Sequence, residues 1–190
     1  MPFFSDASPG GFEPKRQFRF LASFTNLGDI KFMVTTAKKP SYEMSKPVEH
    51  QILNHVFKFP GIVKWTSPLE IKLIDAIEPD VGAKFYDLLL QTGYVEPTTE
   101  SALLQGVTKV STTSALGEVR IQQLDGGVDA IEGIPGAVNI VDEWTLKNAY
   151  VQKVTWGEQL DYKQEGLVEI GVSIAYDWAS FKSGKEPVQI

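Results

Sequence analysis

The sequence predicts a mainly β domain, an antiparallel sandwich or barrel with one packed α-helix. Three observations predict it. From Val168 to Trp178, apolar residues at every second position (Val168, Ile170, Val172, Ile174, Tyr176, Trp178) alternate with Glu169, Gly171, Ser173, Ala175 and Asp177, the period of a half-buried strand. The same alternation recurs at Phe18 to Phe24, Ile30 to Val34, and Leu69, Ile71 and Leu73. A single segment instead carries helical spacing: Val81, Phe85, Leu88 and Leu89 fall on one face.

The elements follow in chain order. Residues 1–14 hold Pro2, Pro9, Pro14, Gly10 and Gly11 and are expected to form an extended arm outside the core. Phe18 to Phe24 and Ile30 to Val34, joined by Asn26-Leu27-Gly28-Asp29, read as an antiparallel hairpin. Pro40, Pro47 and Pro60 punctuate Lys38 to Lys64, which reads as a long excursion from the main sheet with a possible strand from Ile52 to Phe59. Leu69 to Leu73 is a strand, and the helix runs from Pro79 to Thr92 with Gly93 just past its end.

Residues 96–117, rich in Ser and Thr, read as a surface loop. Glu118 to Leu124 is a strand, followed by breaks at Gly126-Gly127 and Gly133-Ile134-Pro135-Gly136. Trp144 to Trp156 reads as one strand, its change of parity assigned to a bulge near Asn148-Ala149. Val168 to Trp178 closes the domain, so that residues 15–179 form one unit and 180–190 a flexible tail.

Composition narrows function. At 190 residues and 43% hydrophobic content the chain suffices for a sizeable core. A net charge of −6 gives no means of neutralising a phosphate backbone, so tight nucleic-acid binding is not expected. There is no cysteine, hence no disulfide and no thiolate ligand. Met1 to Asp6 lacks a basic, apolar leader, and no apolar run approaches the roughly 20 residues of a spanning helix. A soluble protein that stays where it is made is the expectation.

Catalytic and metal chemistry find little support. The two histidines, His50 and His55, would lie on opposite faces of a strand and on different faces of a helix, so no metal is expected. Asp75 to Asp80 and Asp142-Glu143 sit beside turns, where solvated turn chemistry is the simpler account. The glycine pairs lack the Lys-Ser/Thr of a phosphate loop. Ser111 to Ser114 have no base in a motif with them, and Trp65, Trp144, Trp156 and Trp178 fit core or interface packing better than a ligand platform. No cofactor is expected.

Two segments carry a resemblance. Trp65-Thr66-Ser67-Pro68-Leu69-Glu70-Ile71-Lys72-Leu73 followed by Lys84-Phe85-Tyr86-Asp87, and Trp144 to Val151 followed by Val168 to Trp178, resemble the tail tube proteins of contractile-tailed bacteriophages over roughly residues 15 to 178. The resemblance implies a structural virion protein, not an enzyme. Its sheets would join those of neighbours into hexameric rings, and the rings would stack into a tail tube inside a sheath. Baseplate and tail terminator proteins would be further partners, and DNA would pass through the lumen without specific binding. It would assemble in the host cytoplasm. The excursion at 38–64 would reach the adjoining ring.

Glu70, Glu169 and Asp177, opposite the apolar strand faces, are the candidates for the lumen, where negative charge would repel passing DNA. The alternatives are the inner tube of a phage-like injection device and a small β-sandwich binding module with an aromatic pocket. A hydrolase is the weakest reading.

Overall fold

Two four-stranded antiparallel sheets carry the chain, as seen in a computed structural model that describes residues 14–125, 139–157, 160–163 and 165–187. The first sheet comprises β1 (Phe20–Phe24), β8 (Val119–Leu124), β9 (Asn139–Lys147) and β12 (Trp178–Pro187), in that order. The second has the order β10 (Tyr150–Thr155), β11 (Glu169–Ala175), β7 (Leu69–Ile74), β2 (Val34–Ala37). Between β2 and β7 the chain makes β3 (Tyr42–Met44), β4 (Val48–Ile52), β5 (His55–Phe59) and β6 (Val63–Trp65), of which β3 pairs with β6 and β4 with β5.

The period-two pattern sets the core. Ala22, Phe24, Val119, Ile121 and Leu146 from the first sheet join Leu69, Ile71, Leu73, Ile170, Val172 and Ile174 from the second in one buried cluster. The helix α1 (Val81–Gln91) closes it with Val81, Phe85 and Leu88, and Phe85 meets Phe24 edge to face at 6.2 Å between ring centroids. The Asp80 carboxylate caps α1 by accepting from the Ala83 N–H at 2.7 Å, and Asp75 accepts from the Gly82 N–H. Gly93, at φ 93°, follows the C-cap. The Asp75 to Asp80 cluster therefore performs the turn chemistry its position suggests.

Six expectations are corrected. β1 and the segment 30–34 are no hairpin: Asp29–Met33 form a 3-10 turn, and the chain crosses so that β1 pairs with β8 and β2 with β7. The Ser/Thr-rich loop contains a second helix, α2 (Lys109–Leu116), begun by a capping box between Thr108 and Ser111. Trp144 to Trp156 is two strands in different sheets, turned at Asn148 with φ 54°, and the bulge lies between Val151 and Lys153 instead. The alternation ending at Trp178 spans β11 and the start of β12, with Asp177 in the turn between them.

The expected tail is mostly strand, for β12 pairs with β9 along most of its length. Asp142 and Glu143 sit within β9, not beside a turn, and Asp142 is buried against Lys15 and Lys39. The N-terminal arm and the two glycine breaks lie outside the described residues, Pro14 excepted.

Candidate assembly site

The excursion at 38–64 is a β-hairpin arm. Its base is held by aromatic packing: Trp65 meets Tyr42, Trp144 and Tyr176 edge-on at 5.6, 6.4 and 6.4 Å. The Tyr176 hydroxyl donates to the Thr66 carbonyl at 2.8 Å, and burial pushes its pKa up. Farther out, the Ser45 N–H donates to the Ile62 carbonyl while the Ile62 N–H donates to Ser45 Oγ, both at 2.9 Å. A Cβ at Gly61 would stand 2.2 Å from Ser45 Oγ and 2.5 Å from its carbonyl oxygen, so the close approach of the two strands requires glycine.

Register divides the outer arm into two faces. Val48 stands opposite Phe59, His50 opposite Phe57 and Ile52 opposite His55, which places all six on one face. The other face carries Glu49 opposite Lys58, with 3.3 Å between the charged atoms, and Gln51 opposite Val56. The reversal at Leu53-Asn54 holds Leu53 at φ 55°, uncommon for a side chain with a Cβ, with the Gln51 amide donating to the Leu53 carbonyl.

Every residue of β4 and β5 is exposed. The arm thus presents an apolar face that its own chain leaves uncovered. The histidines share that face because the chain turns back between them, whereas a single strand would separate them.

The three acidic candidates do not form one site. Glu70 and Glu169 lie on the outward face of the second sheet, where Glu70 pairs with Ser173 in register and Lys72 with Gly171. The Lys38 ammonium donates to Glu70 at 2.5 Å and holds its carboxyl below the usual range, and Lys72 lies 3.4 Å from Glu169. Lys153 adds to the positive surroundings of Glu70. This face therefore carries three lysines against two glutamates. Asp177, in the β11–β12 turn, accepts from Lys109 at 2.6 and 2.8 Å and from Asn148 at 2.8 Å, bonds that lower its pKa and tie α2 to the corner between the sheets.

Nothing in the described residues converges for chemistry. Among them no three His, Cys, Asp or Glu gather as a metal would need, and no helix is long and apolar enough to cross a membrane. Ser111 is spent on the capping box. Trp65 and Trp144 pack on each other, while Trp156 follows β10 and Trp178 begins β12 in the other sheet, so the four make no common platform.

Sequence reasoning named Asp142 but missed its burial, in which Lys15 and Lys39 neutralise the carboxylate. Its position on the inward parity of β9 beside Trp144 was the available signal.

No protein-family model matches the chain, and a search of curated proteins finds no match. Solved structures do match. A chain of the anti-feeding prophage (AFP) baseplate is 13% identical, with 90% of this chain and 97% of that one covered and a TM-score of 0.58. A chain of the sheath/tube terminator of the extracellular contractile injection system PVC in its extended state is 14% identical, with 90% and 99% covered and a TM-score of 0.58. A chain of the anti-feeding prophage tube-terminating cap is 16% identical, with 91% and 93% covered and a TM-score of 0.58.

The chain has the tail-tube fold, shared with components of contractile injection systems.

Proposed function

We propose that this chain is the inner-tube protomer of a contractile tail, its copies forming hexameric rings that stack into a tube within a sheath, between a baseplate and a terminator. The observation that carries this reading is the amphipathic arm, whose apolar face is of use only when a second molecule covers it. The sheets support it as well. Among the described residues each ends in strands with one unpaired edge, β1 and β12 in the first, β10 and β2 in the second, and closure through neighbours removes such edges. In a phage the tube would conduct DNA into the host and the protein would belong to the virion. Glu70 and Glu169 are proposed to face the lumen, with Lys38, Lys72 and Lys153 among them, a balanced wall that neither grips nor strongly repels a passing polyanion.

A second reading, the inner tube of an injection device without a genome, is favoured by the injection-system proteins that share the fold. Electron microscopy of the purified protein over a concentration series tests the common core of both. Six-fold rings or hollow tubes are expected, and a monomer that never associates, alone or with its sheath and baseplate partners, would overturn it. Nucleic acid within particles purified from producing cells would separate the two readings.

A further inference from the structure

We infer that the two histidines on the apolar face of the arm make assembly acid-labile: tubes that are firm at neutral pH lose their subunits as the pH falls through the range in which imidazole takes up a proton. The inference rests on the tube reading above and adds to it a control that the chain carries in its own arm.

His50 and His55 are the only histidines in the chain. The reversal at Leu53-Asn54 brings them to the same face, where His50 stands opposite Phe57 and His55 opposite Ile52, so the two are diagonal neighbours across β4 and β5. Such neighbours lie about 7 Å apart. They share that face with Val48, Ile52, Phe57 and Phe59, and no carboxylate stands among them. Glu49 and Lys58 are on the other face and pair with each other at 3.3 Å. Nearer the base Glu43 stands opposite Lys64, and Lys46 lies in the link between β3 and β4. From Tyr42 to Trp65 the arm therefore holds three lysines against two glutamates before either histidine is counted.

In the free protomer both imidazoles are exposed, and protonation there is unopposed by burial. Once a second copy covers the face, a protonated ring is taken from water into an apolar contact, beside a second positive charge and with no carboxylate of its own hairpin to answer it. Covering therefore selects the neutral form of both rings. Association that takes up only the neutral form is complete above the imidazole range and is lost as the pH falls through it. For an ordinary imidazole a fall from pH 7.5 to 5.5 weakens such association about tenfold, and about a hundredfold where two must be neutral.

The ion pairs of the body are set for a lower pH. Lys38 holds the Glu70 carboxyl below the usual carboxylate range, Lys147 and Arg120 do the same for Glu118, and Lys109 and Asn148 for Asp177, so these contacts persist at pH 5.5. Mild acid thus acts on the arm while the sheets keep their fold.

The test is the lowest concentration of the full chain that yields tubes at pH 7.5 and at pH 5.5, read by sedimentation and electron microscopy, with sheath and baseplate partners added if the chain alone does not assemble. Circular dichroism follows the fold at both. Wild type is expected to stay folded, to need at least tenfold more protein at pH 5.5, and to reassemble when neutral pH is restored. His50→Gln/His55→Gln keeps two polar side chains that take up no proton, and its ratio between the two pH values should fall below threefold. Equal assembly of wild type at the two pH values, a variant that keeps the full acid response, or loss of the fold itself at pH 5.5 would overturn the inference while leaving the tube reading intact. A second measurement needs no variant. Acylation of His50 and His55 by diethyl pyrocarbonate at pH 7.5, followed by mass spectrometry, should be at least tenfold slower in tubes than in unassembled protein. Equal rates would also overturn the inference, since rings left in water have no reason to stay neutral. A chain that forms neither rings nor tubes at either pH, with its partners present, overturns both readings.

Discussion

The sandwich body and the arm are built from the same kind of strand and differ in what covers them. In β7 the alternating residues Leu69, Ile71 and Leu73 are buried at 3% exposure or less, because β11, β2 and the first sheet stand around them. In β4 and β5 the alternation is weaker, with His50 and His55 among the apolar residues and Val56 on the opposite face, and Val48, Ile52, Phe57 and Phe59 all remain at least half exposed. Patterning therefore specifies a face to be buried but not the molecule that buries it. In the body that molecule is the chain itself; for the arm it is the proposed neighbour.

The contrast breaks most sharply on folding. Ile174→Asp places a charge in the fully buried centre of β11 and should destabilise by more than about 4 kcal/mol, giving insoluble or molten protein by circular dichroism. Replacing residues 46–60 by a short Asn-Gly turn removes several exposed apolar residues at once and should leave the melting temperature within about 3 °C while abolishing tubes in electron micrographs. If that deletion also unfolded the protein, the arm would belong to the body and the distinction would collapse.

Smaller changes sharpen it. Phe57→Ser, on the apolar face, should lower assembly at least tenfold in sedimentation with no loss of stability, whereas Val56→Ser, on the opposite face, should leave assembly near normal. Equal effects at the two positions would mean that both faces are covered. Gly61→Ala forces the strands at Ser45 apart. It should weaken tube formation and misdirect the arm while changing the melting temperature of the body little.

The sequence discloses the body better than its pairing. β7, β8, β11 and α1 are legible because each carries a regular period and a definite boundary, Asp80 and Gly93 for the helix. The partner of β1 is not legible, since nothing local at Phe20 to Phe24 distinguishes β8, nearly a hundred residues away, from the adjacent β2. α2 is hidden because Thr112, Thr113 and Ser114 are weak helix formers with no apolar stripe, and the helix persists through its capping box and its packing of Ala115 and Leu116. β12 escapes because, among its described side chains, only Ala179 is buried, and Phe181, in register with Trp144, stays half exposed.

At the candidate site, the arm is legible as an excursion from its prolines. Its apolar face depends on the turn at Leu53-Asn54, without which His50 and His55 could not be placed together. Of the acidic candidates, parity alone correctly groups Glu70 with Glu169 but cannot show the lysines that balance them.

The smallest expected effect concerns Asp177, grouped with Glu70 and Glu169 by parity and separated from them by the fold. Its hydrogen bonds from Lys109 and Asn148 depress its folded pKa below the unfolded value near 4. A carboxylate so depressed contributes stability that is fully present above its unfolded pKa and is lost as pH falls through the folded one. The pair is partly exposed, the two side chains being 56% and 36% accessible, so solvent screening limits the contribution to at most about 1 kcal/mol. Asp177→Asn should therefore lower stability slightly at pH 7, and the difference from wild type should shrink only once pH falls below the unfolded value near 4 and vanish below the depressed folded pKa. A thermal melt at the two pH values reads the effect. A lumenal role predicts the opposite division, unchanged melting with altered passage of a polyanion through assembled tubes, and that outcome would return Asp177 to the lumenal wall proposed for Glu70 and Glu169.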